Sequence, residues 1–330
     1  MSADLTRKII FSLVFGLLVY GALAFWSDWR QLTAALLDFP WLWLPAVVGL
    51  TFVNYVGRLL KWQWYLDLLG VDIARTESAK VFGVGMLMVM TPGKAGEFLK
   101  SYMVKNVNGT PMSVTAPAVL AERMTDGLAM LVLASIGLLA YPYPTARIAA
   151  AVAVAAILTI LVVIQIRPLA LRLLDIAAHL PVVKRVAGSL GRLYESSYLI
   201  FRPRNLLIAL GIGIVSWSAE GVAYYLVLVG FGAEPGAYAL FLAVFIFCIS
   251  TVIGAVFAMP GGLGGVEGSL VFLSVSLLAL SQAHATAAAL LVRFCTLWMG
   301  VGIGVISFLL WSHLLIGAEG ARSQQVAGAD

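Results

Sequence analysis

The predicted fold depends on one stretch, Met88-Val-Met-Thr-Pro-Gly-Lys-Ala-Gly-Glu-Phe-Leu-Lys100. It places a Pro-Gly break, a lysine and a glutamate inside a chain that is otherwise mostly apolar. A related stretch, Ala258-Met-Pro-Gly-Gly-Leu-Gly-Gly-Val-Glu-Gly268, follows later. We interpret 92–97 and 260–267 as two broken helices, and we expect them to meet in the membrane and to form a transport site.

The composition around this stretch is that of a membrane protein. The 330 residues are 62% hydrophobic and 11% charged, and the mean hydropathy is +0.99, whereas a soluble domain carries about 25% charged residues. The sequence therefore predicts an all-α polytopic membrane protein. Nucleic-acid binding is not expected, because no basic stripe stands on a soluble domain. Cys248 and Cys295 lie in apolar runs and form no metal motif,. No catalytic motif is present, so we expect neither enzyme activity nor a cofactor.

The apolar runs predict about seven spanning helices and two re-entrant hairpins in a single transmembrane domain over 1–316, since a spanning helix needs about 20 apolar residues. In chain order the domain comprises an extra helix (9–26), repeat one (about 41–140), a linker span with an interfacial helix (146–204) and repeat two (about 205–313). An ordinary cytoplasmic helical loop is the alternative for the interfacial segment. We expect the tail, 317–330, to be disordered.

The two repeats are defined by matching charges. The interval along the chain from Glu97 to Arg123 equals the interval from Glu267 to Arg293. Each unit is a span, a hairpin broken at Pro-Gly, and a span with a buried arginine. Discontinuous helices in inverted-topology repeats are typical of transporters.

Basic residues predict the orientation, because Lys and Arg collect in cytoplasmic loops. We place Arg58, Lys61 and Lys100, with Arg75 and Lys105, on the cytoplasmic side, so the first hairpin enters from there. The second hairpin has no Lys or Arg from 235 to 292 and enters from outside. Both termini are then cytoplasmic, in a cell (inner or plasma) membrane.

The broken helices favour an anion. Gly93 and Gly96 surround Lys94 where a half helix begins, and free N–H groups and the helix dipole attract negative charge there. Gly262 and Gly264 give the second hairpin the same bare backbone. The alternative for the glycines is that they only permit turns and close packing.

The buried charges need partners. Arg123 and Arg293 lie near the middle of their spans, where an unpaired charge is costly. Glu97 and Glu267 are the natural partners through the repeat, and these pairs either bind substrate or only hold the hairpins in place.

Three further acids belong to the candidate site. Glu122 and Asp126 lie four residues apart on one helix face and could also pair with an arginine. Glu220 is the one acid in its predicted span, and it could carry a proton or serve as a third partner.

Several of these motifs together resemble the lysylphosphatidylglycerol synthase transmembrane family, also called the flippase-like domain family. They are Arg58 with Trp62 and Trp64, then Thr91-Pro-Gly-Lys-Ala-Gly-Glu97, Glu122-Arg123-x-x-Asp126, and Pro260-Gly-Gly-Leu-Gly-Gly-Val-Glu267. The resemblance implies movement of a lipid with a polar, phosphate-bearing head group between leaflets. We expect no synthase activity, because the sequence contains no counterpart of the family's cytoplasmic synthase domain.

We therefore expect a lipid flippase whose partner is a membrane lipid. Lys94, Arg123 and Arg293 would neutralise phosphate, while Glu97 and Glu267 would hold the arginines or contact an amino group or sugar. Proton or ion coupling stays open. The alternatives are an ion-coupled transporter of a small anionic solute and, ranked last, a membrane transferase using a lipid-linked substrate.

Overall fold

The computed structural model describes residues 28–91, 96–139, 198–257 and 259–315, together with isolated positions between 18 and 21 and between 145 and 172. Apart from those positions, the predicted helix 9–26 and most of the linker 146–204 lie outside the described residues, as does the tail 317–330. Gly93 and Lys94 also lie outside them. The described chain is helical throughout, which confirms the all-α membrane architecture.

Helix α1 (Trp29–Asp38) precedes repeat one. Repeat one, called the first unit below, contains α2 (Leu44–Leu68), α3 (Arg75–Leu87), α4 (Leu99–Asn108) and α5 (Met112–Leu139). The second unit contains α6 (Pro203–Gly230), α7 (Ala237–Val256), α8 (Gly265–Leu278), α9 (Gln282–Arg293) and α10 (Met299–Trp311). A short π-helical segment, Phe294–Trp298, joins α9 to α10.

Five segments of the described chain are long and apolar enough to cross a membrane: Trp41–Leu68, Pro203–Gly230, Ala237–Val256, Pro260–Leu278 and Gln282–Trp311. Helix α5 is 28 residues long, about 42 Å, but carries three charges near its middle. The count of seven spans and the re-entrant form of the two breaks stay predictions.

Backbone chemistry explains where the helices break. Helix α3 tightens into a 3₁₀ turn, Met88–Met90, and Thr91 is extended with φ −86° and ψ 144°. This is the conformation that a residue before proline prefers. In the second break Gly261, Gly262 and Gly264 have φ of 60°, 70° and 82°, a left-handed region that glycine adopts without strain.

Helices of the first unit pack directly against helices of the second. Helix α2 lies along α6, while α3 packs against α10 and α7 packs against α5. The contacts are close because of glycine: a Cβ on Gly304 would lie 2.4 Å from the Leu87 amide nitrogen, and one on Gly137 would lie 2.5 Å from the Phe241 carbonyl oxygen. Each broken helix is therefore held by a helix of the other unit.

The two breaks are neighbours in space. The turn Met88–Met90, at the end of α3, contacts the turn Pro260–Gly262. Leu87, Leu263 and Leu297 belong to the small apolar cluster that surrounds this contact. The expected approach of the first broken helix to the second is thus present.

Three basic residues that we placed on the cytoplasmic side lie inside helices. Helix α2 continues to Leu68, so Arg58 and Lys61 are within it, and Lys100 is in α4. The side chains of Lys61 and Lys100 are buried, and carboxylates of α5 neutralise them. The predicted orientation stays a prediction, and the basic residues outside the buried group carry it.

Candidate functional site

Seven charged side chains from α2, α4, α5 and the turn before α4 meet in one buried group, which we call the first charge cluster. Its members are Arg58, Lys61, Glu97, Lys100, Glu122, Arg123 and Asp126. Helical spacing explains the meeting, since residues three or four apart share one helix face. Arg58 and Lys61 share a face of α2, and Glu122 and Asp126 share a face of α5.

Short ion pairs hold the first charge cluster together. Lys100 Nζ lies 2.5 Å from Glu122 Oε2, and Lys61 Nζ is paired with Asp126 Oδ1. Arg123 bridges three carboxylates: its Nη2 lies 2.7 Å from Glu122 Oε1 and 3.1 Å from Asp126 Oδ2, and its Nε lies 3.2 Å from Glu97 Oε2. The expected Glu97–Arg123 pair is therefore present, within a larger network than the repeat predicted.

The second charge cluster, Glu267 with Arg293, closes the second break. Arg293 Nε donates to Glu267 Oε1 at 2.7 Å, and Arg293 Nη2 donates to the Gly261 carbonyl oxygen at 2.6 Å. The other carboxylate oxygen, Glu267 Oε2, accepts a hydrogen bond from the Gly264 N–H at 2.8 Å. The expected Glu267–Arg293 pair thus ties α9 to the turn that begins α8.

Three of the four candidate glycines are described, and all three donate their N–H groups inside the protein. Gly96 donates to Thr91 Oγ1 at 2.8 Å, Gly262 donates to the Met259 carbonyl oxygen at 2.9 Å, and Gly264 donates to Glu267. These three N–H groups would have to exchange partners before they could bind an anion. The structure therefore gives most weight to the turn-forming alternative for these glycines.

One cavity brings the two clusters together. Its volume is about 530 Å³, within the range of small-molecule sites. Arg58, Arg123 and Asp126 line it from the first charge cluster, Arg293 lines it from the second, and Glu220 lines it from α6. Charges from distant parts of the sequence, with Arg58 in the first unit and Arg293 in the second, therefore face one space.

Part of the cavity wall is apolar and continuous with the outer surface. Phe98, Val256 and Met259 line the cavity, and they keep 39%, 79% and 37% of their surface exposed. Helices α5 and α7 pack tightly against each other at Gly137. Both helices also contribute residues to the cavity wall. An apolar side opening next to a charged interior suits a molecule with a polar end and an apolar end.

A second, smaller pocket of about 50 Å³ lies beyond Tyr55 and Arg58, which line both spaces. Tyr55 Oη donates to the Thr296 carbonyl oxygen at 2.7 Å. Thr296 belongs to the π-helical segment that follows Arg293, and such segments are frequent at functional sites. The partition between the two spaces thus joins the two units.

Sequence reasoning did not include Lys61, Lys100 and Tyr55 in the candidate site. The two lysines carried a usable signal, because Lys61 follows Arg58 by three residues and Lys100 follows Glu97 by three. Tyr55 carried no such signal. Among the described residues, no group of His, Cys, Asp and Glu is arranged to hold a metal ion.

Comparison with known proteins gives two kinds of match. The model of the family described as "Lysylphosphatidylglycerol synthase TM region" matches residues 13–304. Two proteins of Methanothermobacter thermautotrophicus, both described as "UPF0104 membrane protein", are also similar. One is 25% identical over 287 residues, which cover 79% of this chain and 83% of that protein. The other is 26% identical over 305 residues, which cover 85% of this chain and 83% of that protein.

Proposed function

The chain belongs to the lysylphosphatidylglycerol synthase TM family, and on that premise we propose that it is a lipid flippase. It moves a lipid with a polar, phosphate-bearing head group, or a lipid-linked sugar, between the leaflets of the bilayer. It acts as a transporter and not as an enzyme, with a membrane lipid as its substrate. The observation that carries this proposal is the cavity that joins charged residues of both units to an apolar, exposed wall.

The physical problem in lipid exchange is the head group, because polar groups are costly in the hydrocarbon core. Arg58, Arg123 and Arg293 replace part of the water that a phosphate loses on entering the cavity. Hydrogen bonds between charged groups are stronger than neutral ones. The acyl chains stay in the bilayer and pass along Val256 and Met259.

The predicted roles of the other site residues belong to the same proposal. Lys94, as the sequence predicts, would add a further positive charge that neutralises phosphate. Glu97 and Glu267 hold their arginines in place. Glu220 lines the cavity and is the candidate for proton coupling.

The apolar wall favours a lipid over a small anionic solute. A solute transporter needs a cavity closed to the bilayer, whereas Phe98, Val256 and Met259 join this cavity to the outer surface. A membrane transferase using a lipid-linked substrate stays the last-ranked alternative, because it needs a carboxylate or metal site that faces outward. The short outer loops offer little for such a site beyond Asp28, Asp38 and Glu234.

The experiment is leaflet exchange in proteoliposomes. The protein is reconstituted with nitrobenzoxadiazole-labelled phosphatidylglycerol or a labelled polyprenyl phosphate, and dithionite then bleaches every label that reaches the outer leaflet. We expect bleaching to go to completion with the protein and to stop at the outer leaflet in protein-free liposomes. Lys94→Ala should slow the exchange. Absence of exchange for every phospholipid and polyprenyl lipid would rule out the flippase.

A further inference from the structure

We propose that Arg58 is the residue that binds the head-group phosphate, and that Arg123 and Arg293 mainly hold the structure around it. The inference rests on the proposed function and assigns one residue within its site. Three observations carry it: the charge balance of the first charge cluster, the contacts of Arg58, and its place between two spaces.

The charge balance leaves one cation in excess. The first charge cluster has four cations and three anions, so its formal charge is +1. The shortest contacts pair Lys61 with Asp126 and Lys100 with Glu122. Arg123 then neutralises Glu97, whose oxygens accept no hydrogen bond from the described residues. The cation without a contact shorter than 3.4 Å is Arg58, and an anion from outside the cluster can balance the excess charge there.

The contacts of Arg58 are the loosest in the cluster. Its Nη2 lies 3.4 Å from Glu122 Oε1 and its Nε lies 3.8 Å from Asp126 Oδ2. The buried Nε donates no hydrogen bond among the described residues. A guanidinium has five N–H donors and matches a phosphate with two parallel hydrogen bonds. Arg58 can therefore bind a phosphate without breaking a short ion pair.

Arg293, unlike Arg58, has short contacts to its partners. Its two hydrogen bonds, to Glu267 and to the Gly261 carbonyl oxygen, are 2.7 and 2.6 Å long. Glu267 balances the charge of Arg293, so this pair has no net formal charge. Of the two charge clusters, the first carries the positive excess, at the wall that α2 and α5 build, and a phosphate is attracted to that wall.

Arg58 also occupies the partition between the two spaces. It lines the cavity of about 530 Å³ and the pocket of about 50 Å³. A phosphate bound to Arg58 would therefore lie at the wall that the two spaces share.

The test compares substitutions of Arg58 in the leaflet-exchange assay, with phosphatidylglycerol varied as a fraction of the lipid. Arg58→Lys keeps the charge but loses the paired hydrogen bonds. We expect it to raise the lipid fraction for half-maximal rate roughly 10- to 100-fold, with little change in maximal rate. Arg58→Gln should abolish saturable exchange. Arg75→Gln is the matched control, because Arg75 is exposed and paired with Asp67 at the surface; it should leave both parameters unchanged.

A stability measurement separates binding from folding. Arg123→Gln should lower the thermal unfolding midpoint more than Arg58→Gln, because Arg123 bridges three carboxylates. Equal losses of stability in the two variants, with an unchanged half-saturation in Arg58→Lys, would make Arg58 a structural counter-ion and overturn the inference.

A binding measurement keeps this inference apart from the flippase proposal. Short-chain phosphatidylglycerol in detergent should change the fluorescence of Trp217, which lines the cavity. We expect the wild type to bind and Arg58→Gln to bind at least tenfold more weakly, by the same hydrogen-bond argument. Binding that requires Arg58 without any exchange would refute the flippase and support the inference. Exchange and binding that are unchanged in Arg58→Gln would refute the inference and leave the flippase standing.

Discussion

Replacing Arg293 with glutamine should destabilise the fold far more than the same replacement of Arg75. Both arginines lie 2.7 Å from their carboxylates, in Arg293–Glu267 and Arg75–Asp67. Their surroundings differ: the Arg293 and Glu267 side chains are 9% and 0% exposed, and those of Arg75 and Asp67 are 62% and 51% exposed. The two pairs therefore have the same length and the same kind of charges, and they differ mainly in burial.

The expected difference follows from desolvation. Removing one partner of a buried pair costs about 3–5 kcal/mol, because the other charge stays buried without compensation. Arg293→Gln also takes a donor from the Gly261 carbonyl oxygen. An exposed pair contributes about 0–1 kcal/mol, so Arg75→Gln should lie in that range. Adding Glu267→Gln to Arg293→Gln should recover part of the loss, since no charge is then left unpaired.

The assay is reversible unfolding by sodium dodecyl sulfate in mixed micelles, followed by far-ultraviolet circular dichroism. The free energies of unfolding of the wild type, the two single variants and the double variant form the comparison. If Arg293→Gln lies within about 1 kcal/mol of Arg75→Gln, the pair does not hold the second break, and the structural role given to it is refuted.

Two further predictions concern packing and orientation. Gly304→Ala should cost about 1–3 kcal/mol, because its Cβ would meet the Leu87 amide nitrogen at 2.4 Å,; Gly302→Ala, with no atom within 4 Å, should be neutral, and equal unfolding free energies would contradict the close contact of α3 and α10. A cysteine at Arg75 should react with a membrane-impermeant maleimide from the cytoplasmic side and one at Tyr238 from the opposite side, while the two native cysteines are buried. Labelling of both positions from the same side would contradict the opposite orientation of the two repeats.

The Glu–Arg pairs could be predicted because the sequence repeats their spacing. The same interval from glutamate to arginine occurs twice, and a charge inside an apolar span needs a partner. Both pairs, Glu97–Arg123 and Glu267–Arg293, are present in the structure. The helix breaks could be predicted as well, because proline restricts the backbone and glycine frees it locally, whatever the tertiary context.

The burial of Lys61 and Lys100 could not be predicted by the same means. Counting basic residues assumes that a lysine lies in a loop unless something neutralises it. The neutralising groups, Asp126 and Glu122, are on α5, and both α3 and α4 intervene in the chain between Lys61 and that helix. The three-residue spacings Arg58–Lys61 and Glu97–Lys100 place each lysine on a helix face with another charge, but they do not reveal the contact with α5. Trp62 belongs to the same buried region: it is fully buried, and Lys100 Nζ lies 4.5 Å from its ring centre.

The two units share the Glu–Arg pair but differ in how their charged side chains are balanced. In the second unit Arg293 donates short hydrogen bonds to a carboxylate and to a carbonyl oxygen, so the Glu267–Arg293 pair holds the Pro260–Gly262 turn in place. In the first unit the added cations Arg58, Lys61 and Lys100 leave one positive charge without a short partner. Because α3 packs against α10 and α7 packs against α5, the second unit supports the first unit, which carries the excess charge. Under the flippase proposal, two equally charged walls would bind the head group equally, whereas unequal walls would give it one preferred position, at Arg58.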